Sequence, residues 1–340
     1  MKGPQGAFVS DAPRVAILIL TWNRRDDLVG CLESFVHLDY PSYEAVVLDN
    51  GSEDDSVAVA RERFPWATVV ENGANLGFCR GNNAGLRWAL AHDFPYVMLL
   101  NSDTEVTPAL IRELVDVMEA DPTIGIAGAK NVLLENPDLT WGKYGKVTWG
   151  PMLVRQVGRM QLDDRRGDPP IDVDWVIMNA CLMRRSALEK VGLLDEEFWQ
   201  CNEDVDWCYR ARAAGFRVVY VDRAAILHMG GSSADVKYGK IFSYGYFIGR
   251  NAFTFARKHG TRAQQVRLLC AMTEGVFGRQ LFFFIHNLRH AVLGQRTFVS
   301  GMWDGMRGRL DLDKVELKIT EAEYALRPGL LARFARWLGA

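Results

Sequence analysis

Val15-Ala-Ile-Leu-Ile-Leu20, followed at once by Thr21-Trp22-Asn23-Arg24, is the stretch that decides the architecture. An unbroken apolar run of this length is far too short to span a bilayer. It reads instead as a strand buried on both faces. The polar residues that end it form a turn at the strand's carboxyl end, where open α/β sheets hold their ligands. Outward from this strand, the same alternation of short apolar run and helical period continues to about Ala129. Further strands are expected at Glu44–Asp49, Thr68–Glu71, Tyr96–Asn101 and Ile124–Ala129. One helix is expected to start near Ser52, with Asp55 as a capping-box-like partner. Another starts at Thr107-Pro108, carries Leu110, Ile111, Leu114, Val115 and Met118 on one face, and stops at Asp121-Pro122. Strands that are apolar on both faces, separated by helices, predict an α/β fold with a mostly parallel sheet flanked by helices.

Beyond this region the pattern changes twice. Residues 131–173 are rich in Gly, Pro, Asp and Trp without a sustained period, and are expected to form an irregular insertion. Regular structure is expected again at Trp175–Met183, in helices over Arg185–Val191 and Glu203–Ala214, the latter closed by Gly215, and in a strand over Phe216–Asp222. From Arg250 to Arg309 arginines and aromatic residues interleave, with Glu274 and Asp304 the only acids. This stretch, and Leu330–Leu338 after it, fit either an ordinary helical face or a surface resting on anionic lipid. The divisions are a tail at 1–13, a domain at 14–240 and a basic, largely helical region at 241–340.

A net charge of −2 does not advertise nucleic acid as a partner, and the basic tail carries no recognised nucleic-acid module. The six cysteines include no CxxC pair, which fits a reduced, cytoplasmic protein better than a disulfide scaffold or zinc ribbon. No secretory leader and no uninterrupted apolar run long enough to cross a bilayer is found, so a soluble or peripheral protein is expected.

Chemistry-bearing residues gather where this fold places ligands. Thr21 and Asn23 follow the first strand, and Asp49-Asn50-Gly51-Ser52 the second. Asn-Gly alone is a turn, but a carboxylate ending an apolar strand can accept hydrogen bonds from a base or ribose. Asn101-Ser102-Asp103 follows Tyr96–Leu100, and a carboxylate there can bind a hard divalent cation that neutralises a diphosphate. Glu203, Asp204 and Asp206 open a helix, and three acids in four positions exceed what helix capping requires. His228 precedes Gly230-Gly231-Ser232-Ser233. His286 and His290 have the spacing of a metal pair but no Glu between them, and read as structural.

The order of these segments is more specific than any one of them. Val15 to Arg24, Val47 to Ser52, Asn75 to Asn83, Leu99 to Asp103, Asn202 to Trp207 and Ile226 to Met229 together resemble family 2 glycosyltransferases, closest to the bacterial rhamnosyltransferase and galactofuranosyltransferase branch. The similarity covers about residues 14–232, and Arg250-Asn251 resembles the tail of many such enzymes. It implies a GT-A fold, Rossmann-like, with a C-terminal helical extension. It further implies that Thr21, Asn23 and Asp49 hold base and ribose, and that Arg80, Asn82 and Ser102 lie along the donor. Asn101 and Asp103 would occupy the metal-binding position, with His228 as a further ligand to Mg²⁺ or Mn²⁺. Asp204 would be the general base, with Glu203 and Trp207 on the acceptor side. Two departures stand out: Asn101 replaces a charged ligand, and Asn179 stands where the family loop usually opens with Gly.

The implied reaction is an inverting sugar transfer. Breaking a glycosyl–phosphate bond builds negative charge on the leaving diphosphate, which a divalent cation offsets. A carboxylate takes the acceptor's proton as its oxygen attacks. The helix N-terminus is expected to lower the pKa of Asp204. The resemblance favours dTDP-L-rhamnose as donor, UDP-linked sugars as alternative, and a glycan or lipid-linked glycan at the inner membrane face as acceptor. Two rivals are an oxidoreductase, which lacks its Gly-x-Gly-x-x-Gly turn, and a non-catalytic nucleotide-sugar-binding scaffold.

Overall fold

The structure, a computed structural model, describes residues 11–150, 153–229, 240–272 and 288–312. His286, Gly230 to Ser233, Glu274 and the stretch from Leu330 to Leu338 lie outside the described residues. The chain divides into two compact units, one of Met1–Val147 with Gln156–Gly230 and one of Thr148–Arg155 with Gly231–Ala340.

In the first unit β1 (Val15–Thr21), β2 (Tyr43–Asp49), β3 (Thr68–Glu71) and β4 (Tyr96–Asn101) alternate with α1 (Arg25–Ser34), α2 (Ser56–Arg63) and α3 (Gly77–Ala91). They lie in the order β4-β1-β2-β3, all parallel. The chain therefore reverses direction of winding between β1 and β4, and the crevice beyond their carboxyl ends is the natural ligand position of such a sheet. β1 is buried on both faces. Ile17 and Ile19 pack into the core that includes Leu28 and Leu32 of α1, whereas Leu18 faces α3. That helix lies close on the sheet because Gly81 and Gly85 face it. A Cβ would meet Leu20 Cδ1 at 2.7 Å from Gly81 and Leu48 Cδ1 at 2.5 Å from Gly85.

The sheet then becomes mixed. β5 (Thr104–Val106) leads to α4 (Leu110–Ala120), whose predicted apolar face is buried throughout. The helix starts later than Thr107, which instead accepts Leu110 N–H at its carbonyl. Ser52 does not cap α2. Its hydroxyl accepts Asn23 N–H at 3.0 Å, and Asp54 takes the backbone N–H of Ser56.

β6 (Ile124–Leu133) is longer than predicted, and the supposedly irregular insertion contains β7 (Leu139–Gly142), β8 (Tyr144–Val147), β9 (Val154–Val157), β10 (Gln161–Leu162) and β11 (Ile171–Asp172). Strands this short carry too few alternations to show a period. β12 (Trp175–Val176) pairs with β8 in a second small sheet. β13 (Ala180–Arg184) inserts antiparallel between β4 and β6. After α5 (Arg185–Val191) and α6 (Glu203–Ala213), β14 (Arg217–His228) runs parallel to β6 and pairs antiparallel with β5. The result is the mostly parallel, helix-flanked sheet predicted, with an antiparallel insert.

In the second unit α7 (Lys240–His259) and α8 (Leu288–Met306) pack against each other. Arg250 is buried between them, and its Nε donates to Arg309 O at 2.6 Å. No helix among the described residues is long and apolar enough to cross a membrane.

Candidate functional site

The carboxyl ends of β1, β2 and β4 and the junction of β14 with β5 bring most of the nominated residues to one rim of the sheet. At β1, Thr21 is buried, and its hydroxyl has no hydrogen-bond partner among the described residues. Asn23 adopts a left-handed backbone, φ 51°, and its Oδ1 accepts Glu53 N–H at 2.7 Å. The Asp49 carboxylate is also buried and accepts the N–H groups of Gly51 at 3.0 Å and Ser52 at 3.1 Å. It thereby fixes the turn that the sequence assigned to Asn-Gly. Asn50 is the hub of that turn, donating to Asn75 Oδ1 and Gly77 O and accepting from Asn72 and Leu76.

At β4, Asn101 donates its side-chain N–H to Asn179 Oδ1 at 3.0 Å. Asn179 in turn donates to Asn131 Oδ1 at 3.1 Å, and Asn131 to Ala129 O. This asparagine ladder crosses β4, β13 and β6. It explains why Asn stands at position 179, where a glycine would break the chain of amides. It also turns the Asn101 amide oxygen away from Asn179, and that oxygen accepts no hydrogen bond among the described residues. Ser102 beside it is buried.

Antiparallel pairing of β5 with β14 sets Thr104 opposite His228, one residue from Asp103. The His228 Nε2 lies 3.5 Å from Asp103 Oδ1. Met229 N–H donates to Asp103 O at 3.1 Å, closing the junction. The imidazole is almost fully buried and tilts against the Trp141 ring, with centroids 4.9 Å apart. Trp141 and Asn131 were not singled out in the sequence, because both fall where no period marks a strand. No group of three or more His, Cys, Asp and Glu side chains gathers around a common point among the described residues. A carboxylate, an imidazole and an amide oxygen nonetheless suit a divalent cation that takes its remaining ligands from a diphosphate.

The acidic run sits on α6. The loop before it is strained, with Trp199, Cys201 and Asn202 all at positive φ. It is anchored on α3: Cys79 N–H donates to Trp199 O at 3.0 Å, and Asn83 exchanges hydrogen bonds with Leu194. Arg80, predicted to lie along the donor, is paired with Glu196 at 2.9 Å. Asn82 is buried and donates to Phe78 O, leaving little of it for a ligand to touch. Strain of this kind, held by surrounding bonds, fixes the direction in which α6 presents its first turn.

In that turn Glu203 is buried, and its Oε2 has no hydrogen-bond partner among the described residues. Burial, and then the charge of Asp204, push the Glu203 carboxyl well above the usual carboxylate range. Burial raises Asp204 too, although its Oδ1 accepts Val205 N–H at 2.8 Å. The expectation that the helix N-terminus lowers Asp204 is therefore corrected: loss of hydration outweighs the helix dipole. Asp206 is ion-paired with Arg210 at 2.8 Å and belongs to the scaffold. Trp207, expected on the acceptor side, is 0% exposed and gives its indole N–H to Gly192 O. It holds α6 to the turn after α5 and presents no surface to an acceptor.

Similar proteins bear on this arrangement. The N-acetylglucosaminyl-diphospho-decaprenol L-rhamnosyltransferase of Mycobacterium tuberculosis is 30% identical over 208 residues, 54% of this chain and 65% of that protein. This chain thus spans just under two thirds of that relative. The mannosyltransferase PcManGT of Pyrobaculum calidifontis, solved with GDP-Man and Mn²⁺, superposes with a TM-score of 0.56 at 15% identity, covering 87% of each chain. GalNAc-T7, solved with UDP, GalNAc and Mn²⁺, gives 0.54 at 15% identity, over 81% of this chain and 58% of the other. These structures share the GT-A-like fold. The description "Glycosyl transferase family 2" matches residues 16–192, more than half of the 340. The chain belongs to glycosyl transferase family 2.

Proposed function

We propose that this chain is an inverting, metal-dependent glycosyltransferase. It moves a sugar from a nucleotide-sugar donor to a hydroxyl of a glycan or lipid-linked glycan during cell-surface polysaccharide synthesis. The observation that carries the reading is the pairing of two features in a family 2 chain. One is the Asp103–His228 contact at the sheet rim, and the other is the pair that opens α6, a buried Glu203 beside a partly exposed Asp204, both with raised pKa.

Asn101, Asp103 and His228 would hold Mg²⁺ or Mn²⁺, which when bound offsets negative charge on the leaving diphosphate. Thr21 and Asn23 would meet the base and ribose, with Asp49 holding the turn that shapes their pocket. Ser102 and Arg80 would border the donor, with the buried Asn82 supporting α3 behind them. Asp204 takes the acceptor hydroxyl's proton while that oxygen bonds to the anomeric carbon from the face opposite the departing diphosphate. A raised pKa suits this role, since a base held nearer neutral pH accepts a proton more readily than an ordinary carboxylate. The Glu203 carboxyl, raised by burial and by the charge of Asp204, can offer its proton as a hydrogen bond to the acceptor.

For the donor, the mycobacterial relative's name favours L-rhamnose from dTDP-rhamnose, and its decaprenyl acceptor favours a lipid-linked glycan. A UDP-sugar is the alternative, because GalNAc-T7 was solved with UDP. A lipid-linked acceptor implies work at the cytoplasmic face of the membrane as a peripheral protein. The test is a thermal-shift screen of the full chain against dTDP, UDP and GDP with and without Mn²⁺ or Mg²⁺, followed by transfer assays. Asp103→Asn should remove the metal-dependent part of the nucleotide shift. Asp204→Asn should keep that shift while transfer falls about 10²-fold or more. Unchanged transfer in Asp204→Asn would sink the assignment of the base, and nucleotide binding without transfer from any donor would leave a non-catalytic scaffold.

A further inference from the structure

The second unit carries a surface unlike the rest of the molecule. Helices α7 and α8 run in the same direction. Gly249 meets Phe298 O, Gly301 meets Tyr246 O, and Gly305 meets Arg250 O so closely that a Cβ at any of them would lie 2.5 Å or less from the facing carbonyl. Parallel packing brings the two C-terminal ends together. A Cβ on Gly308 would sit 3.5 Å from the Arg257 guanidinium, so the end of α7 adjoins the turn that follows α8. Arg257, Lys258, Arg307 and Arg309 are all exposed at this end. Asp304, the acid of α8, is turned inward and accepts from the Tyr246 hydroxyl at 2.9 Å.

The outer stripe of α8 is apolar. Val299, Trp303 and Met306 recur at helical spacing and are exposed, Trp303 by 52% and Val299 by 48%, and Leu310, beyond the turn that ends the helix, is exposed as well. The Arg307 guanidinium stacks over Trp303, 4.0 Å from the ring centroid. Nearby in sequence, the helical stretch 262–272 exposes Val266 and Leu269 together with Arg262 and Arg267. An amphipathic aromatic ring beside cations, with the one acid of α8 turned inward, matches the boundary of an anionic bilayer: apolar groups enter the headgroup region while arginines meet phosphates.

We infer that the Val299–Trp303–Met306 stripe and the neighbouring Leu310, with Arg257, Lys258, Arg307 and Arg309, are a docking surface for an anionic phospholipid bilayer. The inference deepens the reading of a membrane-borne acceptor, but its test needs neither donor nor acceptor, so either can fail alone. Purified full-length protein is sedimented with vesicles of phosphatidylcholine alone or mixed with phosphatidylglycerol. Binding is expected to the mixed vesicles, to weaken as salt is raised, and to be slight on phosphatidylcholine. Arg307→Glu with Arg309→Glu should weaken it by about tenfold or more, since each cation removed near such a surface is worth about fivefold. Trp303→Ser should weaken it by a similar factor without losing the native circular dichroism, and Val299→Ser provides the same check should Trp303→Ser not fold. Equal binding to both vesicle types, or variants that bind like the parent, overturns the proposal. So does a concentration-dependent dimer that Trp303→Ser disrupts while vesicles remain unbound, which would assign the stripe to a second copy of the chain.

Discussion

Adjacent carboxyls on the first turn of α6 shift in the same direction. Burial raises both, and the charge of Asp204 raises Glu203 further. The raised Glu203 carboxyl has a consequence for stability that is independent of chemistry. An unfolded Glu titrates near pH ~4.3, so between there and its raised folded value the native state holds more protons than the unfolded chain. Stability from this group therefore falls as pH rises through that window. Replacing Glu203 by Gln removes the effect. The Tm of Glu203→Gln relative to the parent should climb by about 3 °C or more from pH ~4 to pH ~9, whatever constant offset the amide introduces. A difference independent of pH would mean that Glu203 ionises normally.

Among the elements, α3 and the loop before α6 are the joint on which the geometry depends. Gly77 opens α3 at φ 75°, and a Cβ there would lie 2.5 Å from the Trp199 ring. Trp199 O accepts the Cys79 N–H, so the ring cannot retreat without moving the strained segment that leads into Glu203. Gly77→Ala should destabilise by about 1–3 kcal/mol, seen as a lower urea midpoint. It should also reduce kcat more than nucleotide affinity, because the displaced group is the acid pair and not the sheet rim. An unchanged kcat would show that α6 is positioned without this contact. The segment Asn75-Leu-Gly-Phe-Cys79 was visible in the sequence only as a piece of a resemblance. The requirement for Gly depends on Trp199, far away in the chain, and no local pattern encodes it.

Across the whole first unit, the parallel core was legible because residues buried on both faces leave unbroken apolar runs, as in Val15 to Leu20. The residues at strand ends were legible because polar groups interrupt those runs. The insertion was not legible, since its strands are short and its order comes from long-range charge. Lys130, itself buried, pairs with Asp163 at 3.0 Å and with Asp222 at 3.5 Å, and Lys143 reaches Asp222 at 3.4 Å. Gly167 N–H and the Tyr220 hydroxyl also donate to Asp222, binding the loop that leads to β11 onto β14. Burial works to raise Asp222, but the Tyr220 hydrogen bond and the two lysines outweigh it and hold the carboxylate below its usual range. A lowered folded pKa gives stability that is present above the unfolded value and lost as pH falls through the folded one. Asp222→Ala leaves Lys130 and Lys143 short of a buried partner, and should destabilise the unit by about 3–5 kcal/mol at neutral pH. The penalty should shrink in acid, where the parent loses the same carboxylate charge. Denaturant melts of both proteins at pH ~7 and pH ~3 check this, and an equal penalty at both would show that Asp222 acts through packing and hydrogen bonds alone.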